Sequence, residues 1–559
     1  MVLSDVQLKQ LLIEKGLLTE KAFHELSTFA KNSEIALTDA LIEKDIISDE
    51  NLGKLIANFV NVPFVNLAKV SIPDEVAKII PEKTAKRHKI IPFARDQDGI
   101  KIAISDPSDT RVLSMIAKKT NEKVSPYFAT ERDIYNALHI FRKQLQKTFD
   151  DLLKDVIEKT GGSLDDEAPT AKIVDLLIAY AYQDKASDIH IEAEEKDSRI
   201  RFRIDGVLHD VLVVPKSLHD RIISRIKVLA KLRTDEHLSP QDGKIRMKVE
   251  GDNLDLRVSI IPMVDGEKAV LRLLSAKFRQ LSLLDLGMRE TDLRKITKAF
   301  NKSYGIILAT GPTGSGKSTA IYSIIKILNT RDKNITTIED PVEYRIKGVN
   351  QIQVNTKTNL TFASGLRSIL RQDPNIIFVG EIRDSETANI AVNAALTGHL
   401  VLSTLHTNDA ATALPRLTDM KVEPFLVSST INCIIAQRLV RRICEMCRHE
   451  IELAREELVK HIPNTTIMKH FGGKEMLSVF MGKGCKICRF TGYSGRIGVF
   501  EVLEMNERIR RLINQKSDSD VIAKTAVEEG MTTMLDDGLE KVAKGITTIE
   551  EVLRATKVE

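Results

Sequence analysis

Tryptophan is absent from this chain, and phenylalanine and tyrosine are sparse at 18 and 8. Extended aromatic platforms for stacking single-stranded nucleic acid are therefore not expected. An excess of one charge is missing as well. The 82 basic and 78 acidic residues leave a net charge of only +4, whereas a chain living mainly on nucleic-acid phosphates would be far more basic. No apolar run reaches about 18 residues, which excludes an ordinary transmembrane helix. The opening MVLSDVQLKQ has no basic region followed by an apolar stretch, so no signal peptide is expected. Five cysteines in 559 residues are too few for a disulfide scaffold. A reducing cytoplasm is the expected compartment, with peripheral membrane association through a partner left open. What is present, 43% hydrophobic and 29% charged residues, fits a chain folding into roughly three to four domains.

The first sixty residues repeat. Leu12-Ile13-Glu14-Lys15-Gly16-Leu17-Leu18-Thr19-Glu20 lines up with Leu41-Ile42-Glu43-Lys44-Asp45-Ile46-Ile47-Ser48-Asp49. Each copy reads as an amphipathic helix, a turn and a new helix capped by Thr19 or Ser48. Residues 1–62 would form a small helical module. After Pro63 short strands at 89–93 and 100–104 predict an α/β unit over 63–140. Residues 141–169 would comprise a charged helix followed by a flexible Gly161-Gly162-Ser163 linker. A domain at 170–290 opens with a helix at 173–182. Strands at 200–204, 254–258 and 269–273 follow, in which apolar residues alternate with arginines. Residues 291–559 hold apolar strands at 305–310, 334–338, 375–380 and 400–405 separated by helical stretches, the pattern of a buried parallel sheet. The tail from 501 reads as helical.

Gly311-Pro312-Thr313-Gly314-Ser315-Gly316-Lys317-Ser318-Thr319 fulfils the pattern G-x-x-x-x-G-K-[ST] between a strand and a helix. Its glycines let backbone N–H groups wrap a phosphate, and the helix that follows adds its positive end. Lys317 would reach the β- and γ-phosphates of a nucleoside triphosphate, and the Ser318 hydroxyl would bind Mg²⁺. Hydrolysis needs carboxylates near the phosphates. Glu339 and Glu343, after one strand, and Glu381, closing the apolar stretch Ile376-Ile377-Phe378-Val379-Gly380, are the candidates on that sheet edge. His399 and His406 flank another strand at a spacing that points them to opposite sides of the pleat.

Cys444-Glu445-Met446-Cys447 and Cys485-Lys486-Ile487-Cys488 form two C-x-x-C knuckles. Four thiolates in this pattern make a closed tetrahedral site for structural Zn²⁺. A redox motif explains one knuckle but not a pair. The site lies in an inserted subdomain at about 441–492, and Cys433 reads as an ordinary buried thiol.

Together these motifs resemble the secretion ATPases of type IV pilus assembly and type II secretion. The resemblance is carried by ASDIHIE from Ala186, RFRIDG from Arg201, PQDG from Pro240 and GPTGSGKST. TIEDPVEY, LRSILRQDPNIIFVGEIRD, TGHLVLSTLHTND and the paired cysteines extend it. It implies an α/β fold: a RecA-like P-loop motor domain, a preceding α/β (PAS-like) domain, a small zinc insert and an N-terminal helical plus α/β module. It also implies a homo-hexameric ATPase at the cytoplasmic face of the inner membrane, acting on a platform protein that adds pilin subunits. The same motor in type II secretion, assembling a pseudopilus, is the alternative. A nucleic-acid translocase would share the loop and the ring but conflicts with the near-neutral charge. The resemblance makes Glu343 the general base with Glu339 close by, Glu381 the Walker-B glutamate, and His399 and His406 a histidine box. Arg257 and Arg272 would reach phosphates when the domains close. Arg367 and Arg371, at i and i+4 on one helix face, would serve the same or a neighbouring site. Relatives that bind cyclic di-GMP carry Arg-Leu-Gly at each N-terminal repeat. Here those positions read Gln7-Leu8-Lys9 and Ala36-Leu37-Thr38, so tight binding of that nucleotide is not expected.

Overall fold

The structure, a computed structural model, describes residues 5–33, 36–43, 46–67, 70, 72–77, 79–137, 167–249, 252–275, 282–485, 488 and 490–556. The chain forms two compact units, one of residues 57–279 and one joining 1–56 to 280–559.

In the unit 57–279, a three-stranded sheet pairs β1 (Ile90–Asp96) antiparallel with β2 (Gly99–Ile104), and β2 parallel with β3 (Val124–Phe128). The expected charged helix at 141–160 lies outside the described residues. The expected linker gives way at its end to the helix Glu167–Gln183. Pro169 sits in that helix's first turn, where its missing N–H has no intrahelical partner to lose. Six antiparallel strands follow: β4 (Asp188–Ala193), β5 (Asp197–Ile204), β6 (Val207–Pro215), β7 (Gln241–Val249), β8 (Asp252–Met263) and β9 (Gly266–Ser275). Their order in the sheet is β6-β5-β4-β9-β8-β7. Period-two alternation puts Ile200 and Phe202, both fully buried, on the face shared with Ile173, Leu177, Ile222 and Ile226 of the covering helices. Arg199, Arg201 and Arg203 alternate with them on the other face, as the sequence pattern predicts.

In the other unit, the repeat forms helices Asp5–Glu14, Glu20–Ser33, Leu37–Glu43 and Asp49–Phe59, the last running three residues past 56. Thr19 and Ser48 act as predicted: Thr19 Oγ1 accepts from Ala22 N and Ser48 Oγ from Asn51 N, each at 3.3 Å. The central sheet contains β10 (Gly305–Thr310), β11 (Ile335–Glu339), β12 (Asn350–Gln353), β13 (Ile376–Val379), β14 (Leu400–Leu405), β15 (Ile431–Ile443) and β18 (Tyr493–Glu504). Their order is β12-β11-β13-β14-β10-β15-β18, parallel except for the β15–β18 pair. Every residue of β10, β11, β13 and β14 is buried. Alternate residues feed separate cores, Ile306, Ile377 and Val401 on one face and Ile307, Phe378 and Leu402 on the other. Burying one such side chain stabilises by about 1.5–3 kcal/mol.

The tail departs from expectation. Residues 501–504 complete strand β18 before helices Glu507–Asn514, Ser519–Glu528, Met534–Ala543 and Ile549–Thr556 begin. Pairing with β15 from Cys433↔Glu504 to Ile443↔Tyr493 decides the outcome for a stretch whose apolar residues suit either element. Between β15 and β18 the insert folds as the hairpin β16 (Arg448–Ala454) and β17 (Met476–Gly482), with helices Arg455–Val459 and Asn464–Phe471. Its Ile462, Ile467, Leu477 and Val479 share a core with Leu539, Val542 and Val552 of the tail helices.

Candidate nucleotide site and metal centre

The parallel strands deliver their carboxyl ends to one edge of the sheet, and the predicted phosphate residues collect there. Strand β10 ends at Thr310. The loop that follows runs to Lys317, where the helix Lys317–Leu328 begins. Gly311, Gly314 and Gly316 have φ of 142°, 80° and 92°, in the region that favours glycine. At Gly311 and Gly316 steric room is also absent. A Cβ on Gly311 would lie 2.5 Å from Gln437 O, and one on Gly316 2.7 Å from Gln437 Nε2. Strand β15 thus forms the floor of the loop.

Lys317 is buried and donates to Gly311 O at 2.7 Å and Pro312 O at 2.9 Å. Burial pushes its ammonium down to about 8 from the ordinary 10.5; Glu381 opposes that shift and Arg438 adds to it. Pro312 and Ser318 are half-buried, and Thr313 and Gly314 are exposed at the rim.

Glu381 lies two residues beyond β13. Ser403 Oγ donates to Val379 O and Thr404 Oγ1 to Gly380 O, both at 2.7 Å, and Ile382 N donates to Thr404 O at 3.0 Å. These bonds hold the Glu381 backbone against β14. Its carboxylate pairs with Arg383 at 2.5 Å and with His406 Nε2 at 3.4 Å. Lys317, Glu381 and His406 therefore converge. His399 does not join them: it precedes β14 while His406 follows it, leaving them separated by roughly 20 Å of strand. Its Nδ1 lies 2.9 Å from Ala394 O on the opposite sheet edge. Pleat alternation misreads this pair, because the two histidines sit beyond opposite ends of the strand.

Glu339, at the end of β11, is almost wholly buried. It accepts hydrogen bonds from Tyr322, from Thr337 Oγ1 at 2.6 Å and from Gln351 Nε2 at 3.2 Å. Burial raises its pKa above the usual carboxylate range against these donors. Glu343 is half-exposed in the following loop, where its backbone N donates to Tyr322 Oη at 3.4 Å. The geometry separates two roles the spacing leaves together: Glu339 is locked in a donor network, and Glu343 stands in the loop beyond it.

Arg367 and Arg371 do not share a helix face. The helix ends at Ile369, and Arg371 lies in the turn beyond it. Arg367 pairs with Glu386, and Arg371 Nη1 donates to Arg367 O at 2.9 Å, both side chains being exposed. In the other unit, Arg257 and Arg272 stand directly opposite each other on β8 and β9. The same cross-strand row continues through Lys244, Asp188 and Arg203. Like charges placed opposite destabilise a sheet. Asp188 relieves them by accepting from Arg272 Nε at 3.0 Å and by lying 3.6 Å from Arg203 Nε.

The cysteines meet across the base of the insert. Sulfur separations are 3.8 Å for Cys444–Cys485 and Cys447–Cys488, and 3.7 Å for Cys485–Cys488. All four sulfurs lie within 4.8 Å of one another. A tetrahedron with Zn–S bonds of about 2.3 Å has edges of about 3.8 Å, so the residues fit the ion. Cys488 Sγ accepts from Cys485 N at 3.1 Å and Gly492 N at 3.3 Å. These donors favour the thiolate. Lys486 and Ile487 lie outside the described residues. Cys433 is fully buried, and burial pushes its thiol up to about 12.

Tyr322, Gln351, Arg383 and Gln437 are site residues that the sequence reading misses. Gln437 had a signal, as an amide closing the apolar stretch Cys433-Ile434-Ile435-Ala436. Tyr322 and Gln351 had none, because their partners lie 17 and 12 residues away from them along the chain.

The depressed Lys317 predicts proton uptake on binding. Above about pH 8 the free side chain is neutral, and phosphate oxygens would restore its charge. ADP affinity should fall by up to tenfold per pH unit as pH rises through that value. Calorimetry in buffers of different ionisation enthalpy should register the proton, and Lys317→Met should lose both binding and uptake.

Comparison with known proteins gives the chain a family. The family described as Type II/IV secretion system protein matches residues 163–554, and the MshEN domain matches 60–146. The type IV pilus assembly ATPase PilB of Myxococcus xanthus is 36% identical over 565 residues, covering 98% of this chain and 99% of that protein. Type II secretion system protein E of Pectobacterium carotovorum is 47% identical over 397 residues, covering 71% of this chain and 77% of that protein. The solved ATPase DotB of Legionella pneumophila shares the fold, with a TM-score of 0.51 at 23% identity over 68% of this chain and 93% of that one. Loop, carboxylates and sequence kinship converge: the chain belongs to the Type II/IV secretion system protein family and is an ATP-hydrolysing enzyme.

Proposed function

We propose that this chain is a type IV pilus assembly motor, working as a homo-hexamer at the cytoplasmic face of the inner membrane on a platform protein that adds pilin subunits. One observation carries the choice: likeness to the Myxococcus pilus assembly ATPase runs end to end in both chains. The higher identity to a type II secretion protein over the shared 397 residues supports the second reading, a pseudopilus motor. Among the described residues no helix is long and apolar enough to cross a membrane, which suits docking through a membrane partner.

In this reading residues 311–319 cradle the triphosphate. Lys317 turns from its loop carbonyls toward the phosphates, and Ser318 with Glu381 would hold Mg²⁺. Bound there, the ion would neutralise developing phosphate charge. Glu343 orients water and takes its proton, while Glu339 braces the loop that carries it. His406 steadies Glu381, and His399 acts from the other edge of the sheet. Arg272, which pairs with Asp188, exchanges it for phosphate oxygens, and Arg257 opposite it reaches them as well, when the domain 170–290 closes on the motor domain 291–559. Such arginines stabilise transition-state charge and couple hydrolysis to closure. Arg367 and Arg371, exposed in one subunit, serve a neighbouring one. The four cysteines hold structural Zn²⁺, and the N-terminal module 1–62 with 63–140 docks the membrane partner.

Purified protein with ATP and Mg²⁺ should release phosphate without stimulation by single-stranded DNA. Glu343→Gln and Glu381→Gln should each cut kcat by at least about 10² while retaining ATP. In the native host, either variant should abolish pili and spare protein export; lost export with intact pili would favour the second reading. Leu8 and Leu37 are buried, and Lys9 pairs with Glu20 at 3.1 Å. These groups offer no replacement for the arginines of cyclic di-GMP-binding repeats. Calorimetry should detect no binding of that nucleotide at micromolar concentration. Elemental analysis should find one zinc per chain in the wild type and little in Cys447→Ser; full occupancy in that variant would overturn the four-thiolate site.

A further inference from the structure

Gln437 is fully buried in β15. Neither its Nε2 nor its Oε1 has a hydrogen-bond partner, and the buried Ser315 Oγ has none either. An unsatisfied buried polar group is costly, so orphans on two elements in one place call for a state that satisfies them. Gln437 lies beneath the phosphate loop, and Ser315 belongs to it. Gln437 Nε2 lies 2.7 Å from where a Cβ of Gly316 would be, and Ser315 Oγ lies 2.6 Å from the corresponding point on Gly311.

The loop's own acceptors are meanwhile taken. Lys317 Nζ donates to Gly311 O and Pro312 O. A triphosphate would draw the ammonium toward its oxygens and take from Gly311 O its lysine donor, while Pro312 O keeps the hydrogen bond from Ser315 N at 3.3 Å. Two buried donors without partners are at hand, the Gln437 amide beneath the loop and the Ser315 hydroxyl within it.

We propose that Gln437 is a positioning residue for nucleotide binding: with Ser315 it takes over hydrogen bonds to the loop backbone that Lys317 gives up to the phosphates. The proposal rests on reading 311–319 as the triphosphate seat. Gln437 touches no substrate. It satisfies the loop in the bound state, so the free state carries the orphans and the bound state does not. The sign of its effect is therefore opposite in the two states.

The test compares full-length wild type, Gln437→Met, which keeps side-chain length without the amide, and Ser315→Ala. A fluorescent ADP analogue reports affinity, thermal melting reports the nucleotide-free fold, and steady-state kinetics separate KM from kcat. For Gln437→Met we expect analogue binding about tenfold weaker, the effect of one lost hydrogen bond. Its KM for ATP should rise with kcat within about twofold, and its nucleotide-free Tm should equal or exceed that of wild type. Ser315→Ala should weaken binding in the same direction, and the double variant should lose less than the sum. Unchanged affinity in Gln437→Met would overturn the proposal. A lowered nucleotide-free Tm or failure to fold would do so as well, because the amide would then be bonded in the free state. Failure of the wild type to bind the analogue would instead bring down the phosphate-seat reading.

Discussion

Strand β15 approaches the phosphate loop so closely that neither Gly311 nor Gly316 has room for a Cβ. This contact determines more than two glycines. The strand under the loop, Ile431–Ile443, runs on to the first cysteine knuckle, paired with β18 from Cys433 onward. On its other side β10 is held between β14 and β15 by parallel ladders whose residues are buried. The loop therefore rests on packed strands with little freedom to shift, since close-packed interiors transmit displacement rather than absorb it. Its polar partners can still rearrange, above all the Lys317 ammonium.

The charges of both units follow one logic. In each unit, cations stand against oxygens of the protein itself: loop carbonyls for Lys317, Glu381 for Arg383 and His406, and Asp188 for Arg272 and Arg203. Cations left unpaired so close together would repel, and a buried ammonium would lose its proton. Each of these oxygens keeps a cation oriented. The cysteine centre differs. Its four sulfurs already stand at tetrahedral spacing, and the insert that carries them shares a core with the tail helices.

Much of the fold was legible because buried parallel strands are continuous apolar runs with sharp ends. Strands β10 and β14 occupy the expected 305–310 and 400–405. The caps Thr19 and Ser48 were legible for a similar reason, since a cap is a contact within three residues. The failures came where a nonlocal choice intervened. Residues 501–504 join β18 because β15 offers a ladder, and Arg371 falls past the helix end at Ile369.

The sequence by itself determined the features whose chemistry is local. The glycine loop at 311–319, the helix that starts at Lys317 and the two cysteine knuckles need only neighbouring residues and backbone geometry. Tertiary structure alone decided which distant side chains meet. Glu381 faces His406 and Lys317 because β13, β14 and β10 lie side by side in parallel. Gln437 lies under the loop because β15 is the next strand over, and Arg257 faces Arg272 because of the β8–β9 register. Strand order and register arise from pairing over tens of residues, and spacing along the chain does not specify them.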